Sequence, residues 1–207
     1  MLTARVVRQN PAAISFGEIK TEVVRKTIHF FIALSPGMAA INRSFTVALL
    51  MAGTLFYACM ECFRLTGIQV PMISRLTKMA SRSRDDGRFV LGPVTLGIGA
   101  LLALLLYPSP AAAIAIYALA FGDGFASLVG KLFGAMRPPV MMGKSLEGSA
   151  ACFVAVLISA FLVSHNLQIA LVAALVATLV EALPLGDYDN IAIPVTAGFA
   201  AQLMLYI

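Results

Sequence analysis

A succession of apolar runs, most of them near the length of a membrane span, is the feature that most limits how this chain can fold. A bilayer core of ~30 Å requires about 20 apolar residues in a helix, and lipid satisfies no unpaired backbone group. The chain is 60% hydrophobic and only 12% charged, which excludes an ordinary soluble domain. We therefore predict one all-α polytopic membrane domain, residues 1–207. Its seven predicted spans are Ile28–Ile41, Phe45–Phe63, Val90–Tyr107, Pro110–Val129, Glu147–Ser164, Leu167–Pro184 and Ile191–Ile207.

The positive charges predict the orientation of these spans. With a cytosolic N-terminus, only Arg43 of the 15 Lys and Arg residues falls outside, and none of the ten Asp and Glu residues does. Positive charge concentrates on the cytosolic side of membrane proteins, so we expect the N-terminus inside and the C-terminus outside. Residues 1–26 are expected to form a cytosolic or interfacial segment.

The second cytosolic stretch, residues 64–89, is rich in Arg and Lys, and its spacing predicts a short interfacial helix near 72–82. Anionic lipid headgroups are its expected partner, rather than nucleic acid. A homo-oligomer is left open. No signal peptide is evident, and the short chain favours a prokaryotic plasma membrane over a eukaryotic endoplasmic reticulum or plastid membrane.

Asp123 lies inside the fourth apolar run, about twelve residues and therefore ~18 Å from its start. A carboxylate at that depth costs several kcal/mol unless it meets a cation or a wet cavity, so it is a functional candidate. On a regular helix it shares one face with Ser127, Gly130 and Lys131. The alternative is an Asp123–Lys131 ion pair that only fixes helix packing.

Two other groups of polar residues accompany Asp123. A capping box, Ser15 to Glu18, begins a helix on which Glu22, Arg25 or Lys26, and His29 form one polar stripe. This stripe enters the first span, which Pro36-Gly37 should bend. After the fourth span, Lys144 and Glu147 follow beside Gly143 and Gly148. Acidic residues can bind a metal ion, lysines can bind phosphate, and glycines let the backbone approach a ligand closely. Together these residue types indicate an enzyme that acts on a nucleotide.

In this order the motifs resemble one family, the CTP-dependent lipid kinases, which include dolichol kinase, phytol kinase and the yeast-type diacylglycerol kinase. The motifs are E-x-x-R-K-x-x-H (Glu22–His29), G-D-x-x-A-S-x-x-G-K-x-x-G (Gly122–Gly134), G-K-S-L-E-G-S (Gly143–Ser149) and E…D-N-x-x-I-P (Glu181, Asp189–Pro194). The related phosphatidate cytidylyltransferases share the G-D and K-x-x-E-G elements. They end, however, in a long H-G-G…D-R-x-D signature that this chain lacks.

The resemblance implies an enzyme that transfers the γ-phosphoryl group of CTP to a membrane lipid alcohol, with Mg²⁺ as cofactor. Asp123, Glu147 and Asp189 are the expected metal ligands. Asp123, Lys144 and His29 are the expected catalytic residues, and the base is either Asp123 or His29. The expected nucleotide-binding residues are Arg25, Lys26, Gly122, Lys131, Gly143, Lys144, Gly148 and Asn190.

Two alternatives stand beside the kinase. A cytidylyltransferase would use the same groups but direct attack to the α-phosphorus, releasing pyrophosphate rather than CDP. A small transporter would use Asp123 as an ion or proton site, but the external turns contain almost nothing reactive and no inverted repeat is visible. The sequence does not distinguish diacylglycerol, a polyprenol and phytol as the alcohol.

Overall fold

The computed structural model describes residues 7–8, 16–68 and 87–206, and these residues are almost entirely helical. The interfacial helix expected near 72–82 and residue Ser15 of the expected capping box lie outside the described residues. The α-helices are α1 (Phe16–Phe31), α2 (Ser35–Leu65), α3 (Gly92–Leu106), α4 (Ala111–Tyr117), α5 (Gly124–Phe133), α6 (Leu146–Ser164), α7 (Leu167–Glu181) and α8 (Asp189–Leu205).

Short elements connect these helices. A π-helical turn, Ala118–Asp123, joins α4 to α5, and 3₁₀ turns cover Ile32–Leu34, Pro139–Met141 and Gly186–Tyr188. Strand β1 (Val7–Arg8) pairs antiparallel with β2 (Met136–Arg137). The all-α expectation is therefore confirmed apart from this two-residue pairing.

The bend expected at Pro36-Gly37 occurs slightly earlier, where α1 tightens into the 3₁₀ turn. Pro36 then stands in the first turn of α2, where a missing N–H is harmless. The sharper break lies at Asn42, whose backbone angles (φ −151°, ψ 99°) are not helical. Its side chain accepts a hydrogen bond from Phe45 N at 2.9 Å, as at a helix N-terminus. This break coincides with the predicted first external turn.

Among the described residues, three helical stretches are long and apolar enough to cross a membrane: Ile19–Leu65, Ala111–Leu132 and Leu146–Ser164. Gly92–Leu106 and Leu167–Glu181 are shorter apolar helices. The structure is therefore that of an all-α membrane-type protein. The count of seven crossings and the orientation of the termini are not tested by this finding.

Small residues allow the helices of the core to pack closely. The fully buried residues are mostly alanines, including Ala103 on α3, Ala115 on α4, Ala160 on α6, Ala173 on α7 and Ala201 on α8. Without a hydrophobic driving force between helices in lipid, close backbone contact supplies the attraction.

The end of α2 is fixed to the residues before α3 by a buried carboxylate. Glu61, fully buried, accepts two hydrogen bonds from Arg64 and one from Val90 N, each at 2.8 Å. Arg64 also donates to the Arg88 carbonyl oxygen at 2.7 Å. These contacts satisfy a charge that would otherwise be costly to bury, and they position the N-terminus of α3.

The α3–α8 contact gives a direct test of this packing. A Cβ on Gly99 would lie 2.0 Å from the Asn190 carbonyl oxygen, a backbone atom that cannot move alone. We expect Gly99→Ala to destabilise the protein by roughly 1–3 kcal/mol, as overpacking usually does. In Gly53→Ala the new Cβ meets nothing within 4 Å, so this control should be neutral or stabilising by up to ~1 kcal/mol. Thermal unfolding in detergent compares the two, and equal shifts would contradict the described contact.

Candidate active site

A cavity of about 440 Å³ opens where one end of the helical bundle gathers most of the polar residues. It is lined from α1, α2, α3, α5 and the segments around α6 and α8. Its polar residues stand mainly where α5 and α7 end and where α3, α6 and α8 begin. The charged residues that line it are Arg25, Lys26, Asp123, Lys131, Arg137, Lys144, Glu181, Asp187 and Asp189.

Asp123 is the last residue of the π-helical turn and is buried. Its Oδ2 forms an ion pair with Nζ of Lys26, which is itself 1% exposed, and lies 3.5 Å from His29 Nδ1. The alternative of a structural Asp123–Lys131 pair is therefore wrong. Asp123 and Lys131 lie on the same face of the segment that leads into α5. Because α1 packs against that face, Lys26 rather than Lys131 contacts the Asp123 carboxylate.

Glu22, one helical turn before Lys26 on α1, is the partner of Lys131. Its carboxylate lies 2.8 Å from Lys131 Nζ, accepts a hydrogen bond from Ser127 Oγ and pairs with Arg25. The polar stripe of α1 is therefore not a solvated face, because it meets the polar face of α5 through complementary charges. Glu22 was counted in the stripe but not among the site residues. The available signal was its spacing of four residues from Lys26, which matches the four residues from Asp123 to Ser127.

A second set of contacts joins Lys144 to the far side of the cavity. Lys144 Nζ donates to the Glu181 carbonyl oxygen and lies 3.4 Å from Glu181 Oε1 and 3.6 Å from Asp189 Oδ2. Ser149 Oγ donates to Glu181 Oε2 at 3.0 Å. Glu181 belonged to the E…D-N motif but was not assigned a role. The structure makes it the partner that holds Lys144 beside Asp189.

Glu147 and Gly122 are not among the described residues that line the cavity. Glu147 follows the N-cap Ser145 in the first turn of α6, and its side chain turns back to accept the Met136 N–H at 3.0 Å. It is therefore not brought together with Asp123. A Cβ on Gly122 would lie 2.8 Å from Val156 Cγ2, so this glycine serves the contact with α6.

All the other residues that the sequence predicted for the catalytic, nucleotide-binding and metal sites line the cavity. Asn190 Nδ2 donates to Thr95 Oγ1 at 2.9 Å and to Gly92 O at 3.3 Å, which orients the start of α3. Gly148 must lack a side chain, since a Cβ there would lie 2.6 Å from the Ala126 carbonyl oxygen. Gly143 has φ +100°, a conformation that favours glycine.

His29 and Arg137 line the cavity and each has a ring or guanidinium nitrogen that makes no hydrogen bond to the described residues. In the part of the chain that the structure describes, His29 Nδ1 is buried without a hydrogen-bond partner. Arg137, which sequence reasoning left out of the site, donates to the Gly130 and Gly143 carbonyl oxygens. It lies in a connecting loop, and only the folding of that loop brings it to the cavity.

The donor set fits Mg²⁺ bound together with phosphate. Across residues 16–68 and 87–206, no group of three or more His, Cys, Asp or Glu side chains is arranged to hold a metal ion. Mg²⁺, however, is usually held by one or two carboxylates plus substrate phosphates and water. Asp123 and Asp189 both line the cavity and would be those carboxylates.

Comparison with known proteins adds a specific likeness. The chain is 30% identical over 165 residues to "Probable phytol kinase 1, chloroplastic" of Oryza sativa subsp. japonica, covering 70% of this chain and 52% of the rice protein. It is 28% identical over 209 aligned positions to "Probable phytol kinase, chloroplastic" of Triticum aestivum, covering 90% and 68%. With "Phytol kinase 1, chloroplastic" of Arabidopsis thaliana it shares 28% over 157 residues, covering 67% and 52%. The chain is therefore similar to phytol kinases over two thirds or more of its own length.

This homology confirms the resemblance to lipid kinases and favours it over the related cytidylyltransferases. The chain spans about half the length of the rice and Arabidopsis phytol kinases and about two thirds of the wheat protein. No protein-family model and no solved structure matches it. The phytol kinases named here are all chloroplastic, so the expectation of a prokaryotic plasma membrane is not supported.

The pairing of Asp123 with Lys26 predicts a specific stability pattern. Lys26→Met leaves the Asp123 carboxylate buried without its cation, and breaking a buried pair in this way costs roughly 3–5 kcal/mol. Adding Asp123→Asn removes the stranded charge and should restore most of the lost stability. Lys131→Met should cost less, about 1 kcal/mol or below, because the Lys131 side chain is 32% exposed.

Thermal unfolding of the four proteins in detergent, with wild type, forms a double-mutant cycle. If Lys131→Met were the more damaging change, and Asp123→Asn failed to rescue Lys26→Met, the described pairing would be wrong.

Proposed function

We propose that this chain is a lipid-alcohol kinase that transfers the γ-phosphoryl group of CTP to the hydroxyl of a membrane alcohol of the phytol type. The observation that carries the proposal is the homology to phytol kinases. It is supported by the cavity, in which buried carboxylates and several cations meet at one end of an apolar helical bundle. A water-soluble phosphate donor and a membrane lipid acceptor can both reach such a site.

The charge of the cavity supports a role for a divalent cation. Its lining holds five basic and four acidic residues, so it is close to neutral without ligands. A nucleoside triphosphate brings several negative charges, and the lysines here already contact carboxylates. Mg²⁺ held by Asp123 and Asp189 would supply the missing positive charge and neutralise the transferring phosphoryl group.

The basic residues have distinct roles in this proposal. Lys131 and Lys144 would bind phosphate oxygens, with Arg25 and Arg137 as further donors at the rim. Glu22 and Glu181 hold these two lysines in place. Lys26 stays with Asp123 as its partner in the buried ion pair. Phosphoryl transfer depends mainly on such positioning and charge neutralisation.

The proton of the alcohol requires an acceptor. The hydroxyl oxygen forms a bond to the γ-phosphorus as the bond to the bridging oxygen of CDP breaks, and the hydroxyl proton leaves. His29 Nδ1 is buried, lines the cavity side of α1 and accepts no hydrogen bond from the described residues. It is therefore our first candidate for the base, and Asp123 is the second.

The seven predicted spans and a cytosolic N-terminus complete the proposal. Helices begin or end near most of the predicted span boundaries, and the lining polar residues come from one end of the bundle. We place the protein in a plastid membrane, because the phytol kinases it resembles are chloroplastic. Reaction of added cysteines with an impermeant reagent would test the topology.

The activity is tested with purified protein, Mg²⁺, and CTP or ATP labelled at the γ-phosphorus. Phytol, a polyprenol and diacylglycerol serve as acceptors. We expect labelled phytyl phosphate and CDP with CTP, and less product with the other alcohols. Pyrophosphate and a CDP-lipid formed from phosphatidic acid would identify a cytidylyltransferase instead. No phosphorylated lipid from either nucleotide would refute the proposal.

Loss of the Asp123 charge should abolish turnover without abolishing the fold. We expect Asp123→Asn to reduce kcat by ~10²–10³, the usual effect of removing a group that stabilises transition-state charge. The Lys26→Met/Asp123→Asn protein provides the control, because its stability should be near that of wild type. Substantial turnover by this folded double variant would show that the Asp123–Lys26 pair is only structural.

Lys131→Met should affect nucleotide binding more than chemistry. A cation that binds phosphate in the ground state changes KM, and losing about 1.4 kcal/mol corresponds to a tenfold rise. We expect the KM for CTP to rise on the order of tenfold with a smaller change in kcat. Lys20→Met, which removes an exposed cation from the same helix as Glu22, is the matched control and should leave both constants unchanged. An unchanged KM in Lys131→Met would remove Lys131 from the nucleotide site.

A further inference from the structure

The loop between α5 and α6, residues 134–145, exposes apolar side chains outside the candidate membrane helices. Those helices end at Leu132 and begin at Leu146, so the loop starts at the boundary of the apolar bundle. Within it, Met136, Val140 and Met142 are exposed, Val140 by 85% and Met142 by 76%. Connecting loops in water favour polar residues, and exposed apolar groups in a cluster indicate a binding surface.

The fold holds these side chains outward. Arg137 bridges the loop by donating to the carbonyl oxygens of Gly130 and Gly143, and Glu147 accepts from Met136 N. The pairing of β1 with β2 fixes residues 136–137 from the other side. Met142 adopts a left-handed conformation (φ 44°), which is unfavourable for a residue with a side chain. The apolar surface is therefore built into the loop.

The charges of the segment indicate what this surface contacts. Residues 131–147 contain three basic residues, Lys131, Arg137 and Lys144, and one acidic residue, Glu147, so the segment carries a net positive charge. A combination of apolar side chains with nearby basic residues binds the interface of a membrane that contains anionic lipid. A soluble protein partner would be a less direct match, because the loop adjoins two helices that are themselves apolar enough to lie in the bilayer.

We propose that the loop surface, formed by Met136, Val140 and Met142, docks into the headgroup layer of the membrane. We also propose that the lipid alcohol enters the cavity past Met142. Met142 is the residue that joins the two regions, since it is exposed and also lines the cavity. Lys144, two residues further on, contacts Asp189 inside the same cavity. The second half of this proposal rests on the proposed lipid-kinase function, whereas the first half does not.

The docking is tested by fluorescence, because the chain contains no tryptophan and any introduced Trp is unique. Full-length Val140→Trp protein is reconstituted in phosphatidylcholine vesicles, with and without phosphatidylglycerol, whose acyl chains carry bromine near the headgroup. Leu162→Trp, on an exposed position of α6, is the lipid reference. Tyr188→Trp, an exposed position between the acidic residues Asp187 and Asp189, is the matched loop control.

We expect the brominated lipid to quench Val140→Trp nearly as strongly as Leu162→Trp and clearly more than Tyr188→Trp, most of all with phosphatidylglycerol present. Quenching no stronger than that of Tyr188→Trp, together with ready quenching by aqueous acrylamide, would overturn the proposal. Quenching only when a second protein is added would indicate a protein partner and would also overturn it.

The route of the alcohol is tested by kinetics in the same vesicles. Val140→Asp should raise the KM for phytol about tenfold, the size expected for losing one buried apolar side chain, and leave the KM for CTP unchanged. Thr66→Asp introduces the same charge outside the loop and should change neither. Met142→Gly removes the side chain where glycine is unstrained, so its thermal stability should not fall while its KM for phytol rises.

An unchanged KM for phytol in both loop variants would exclude entry past Met142. A wild-type protein that phosphorylates no alcohol would instead refute the proposed function, and the fluorescence experiment would still decide whether the loop docks on the membrane.

Discussion

The buried ion pair between Asp123 and Lys26 is the interaction on which the rest of the site depends. A carboxylate within an apolar bundle is tolerated only with a cation close to it, and Lys26 is buried almost completely to provide one. Because Lys26 belongs to α1, this pair requires α1 to lie along α5 with its polar stripe inward. Glu22 and Lys131 then meet one turn earlier along α1 and about two turns later along the α5 side.

This requirement also explains why the cavity has two differently organised walls. On the α1–α5 wall, acids and bases pair directly across two packed helices. On the opposite wall, Lys144 comes from the loop before α6 and meets Glu181 and Asp189, which end α7 and begin α8. Each lysine is held by a carboxylate yet remains beside the cavity, so a phosphate group could share it without large rearrangement.

The sequence predicted most of the helices because hydropathy is a local signal, whereas the pairings across the site are not local. The break at Asn42 and the breaks before Leu146 and Leu167 follow from short polar or Pro-containing stretches. The partner of Asp123 does not, because Lys26 and Lys131 are equally plausible until the contact of α1 with α5 is known. The separation of Glu147 from Asp123 has a similar reason, since its motif does not show that the first turn of α6 directs it to Met136.

The positions of the polar residues along their helices bear on the choice between an enzyme and a transporter. A transporter requires its site to be reached alternately from both sides, and such sites lie near the bilayer midplane. Here Lys131, Lys144, Glu181 and Asp189 all stand at helix ends, and the chain direction places these ends on one side of the bundle. Of these carboxylates, Asp123 lies deeper, inside the apolar stretch Ala111–Leu132. A site open at one end and acidic at its base suits a reaction between a water-soluble donor and a membrane-dissolved acceptor better than passage across the bilayer.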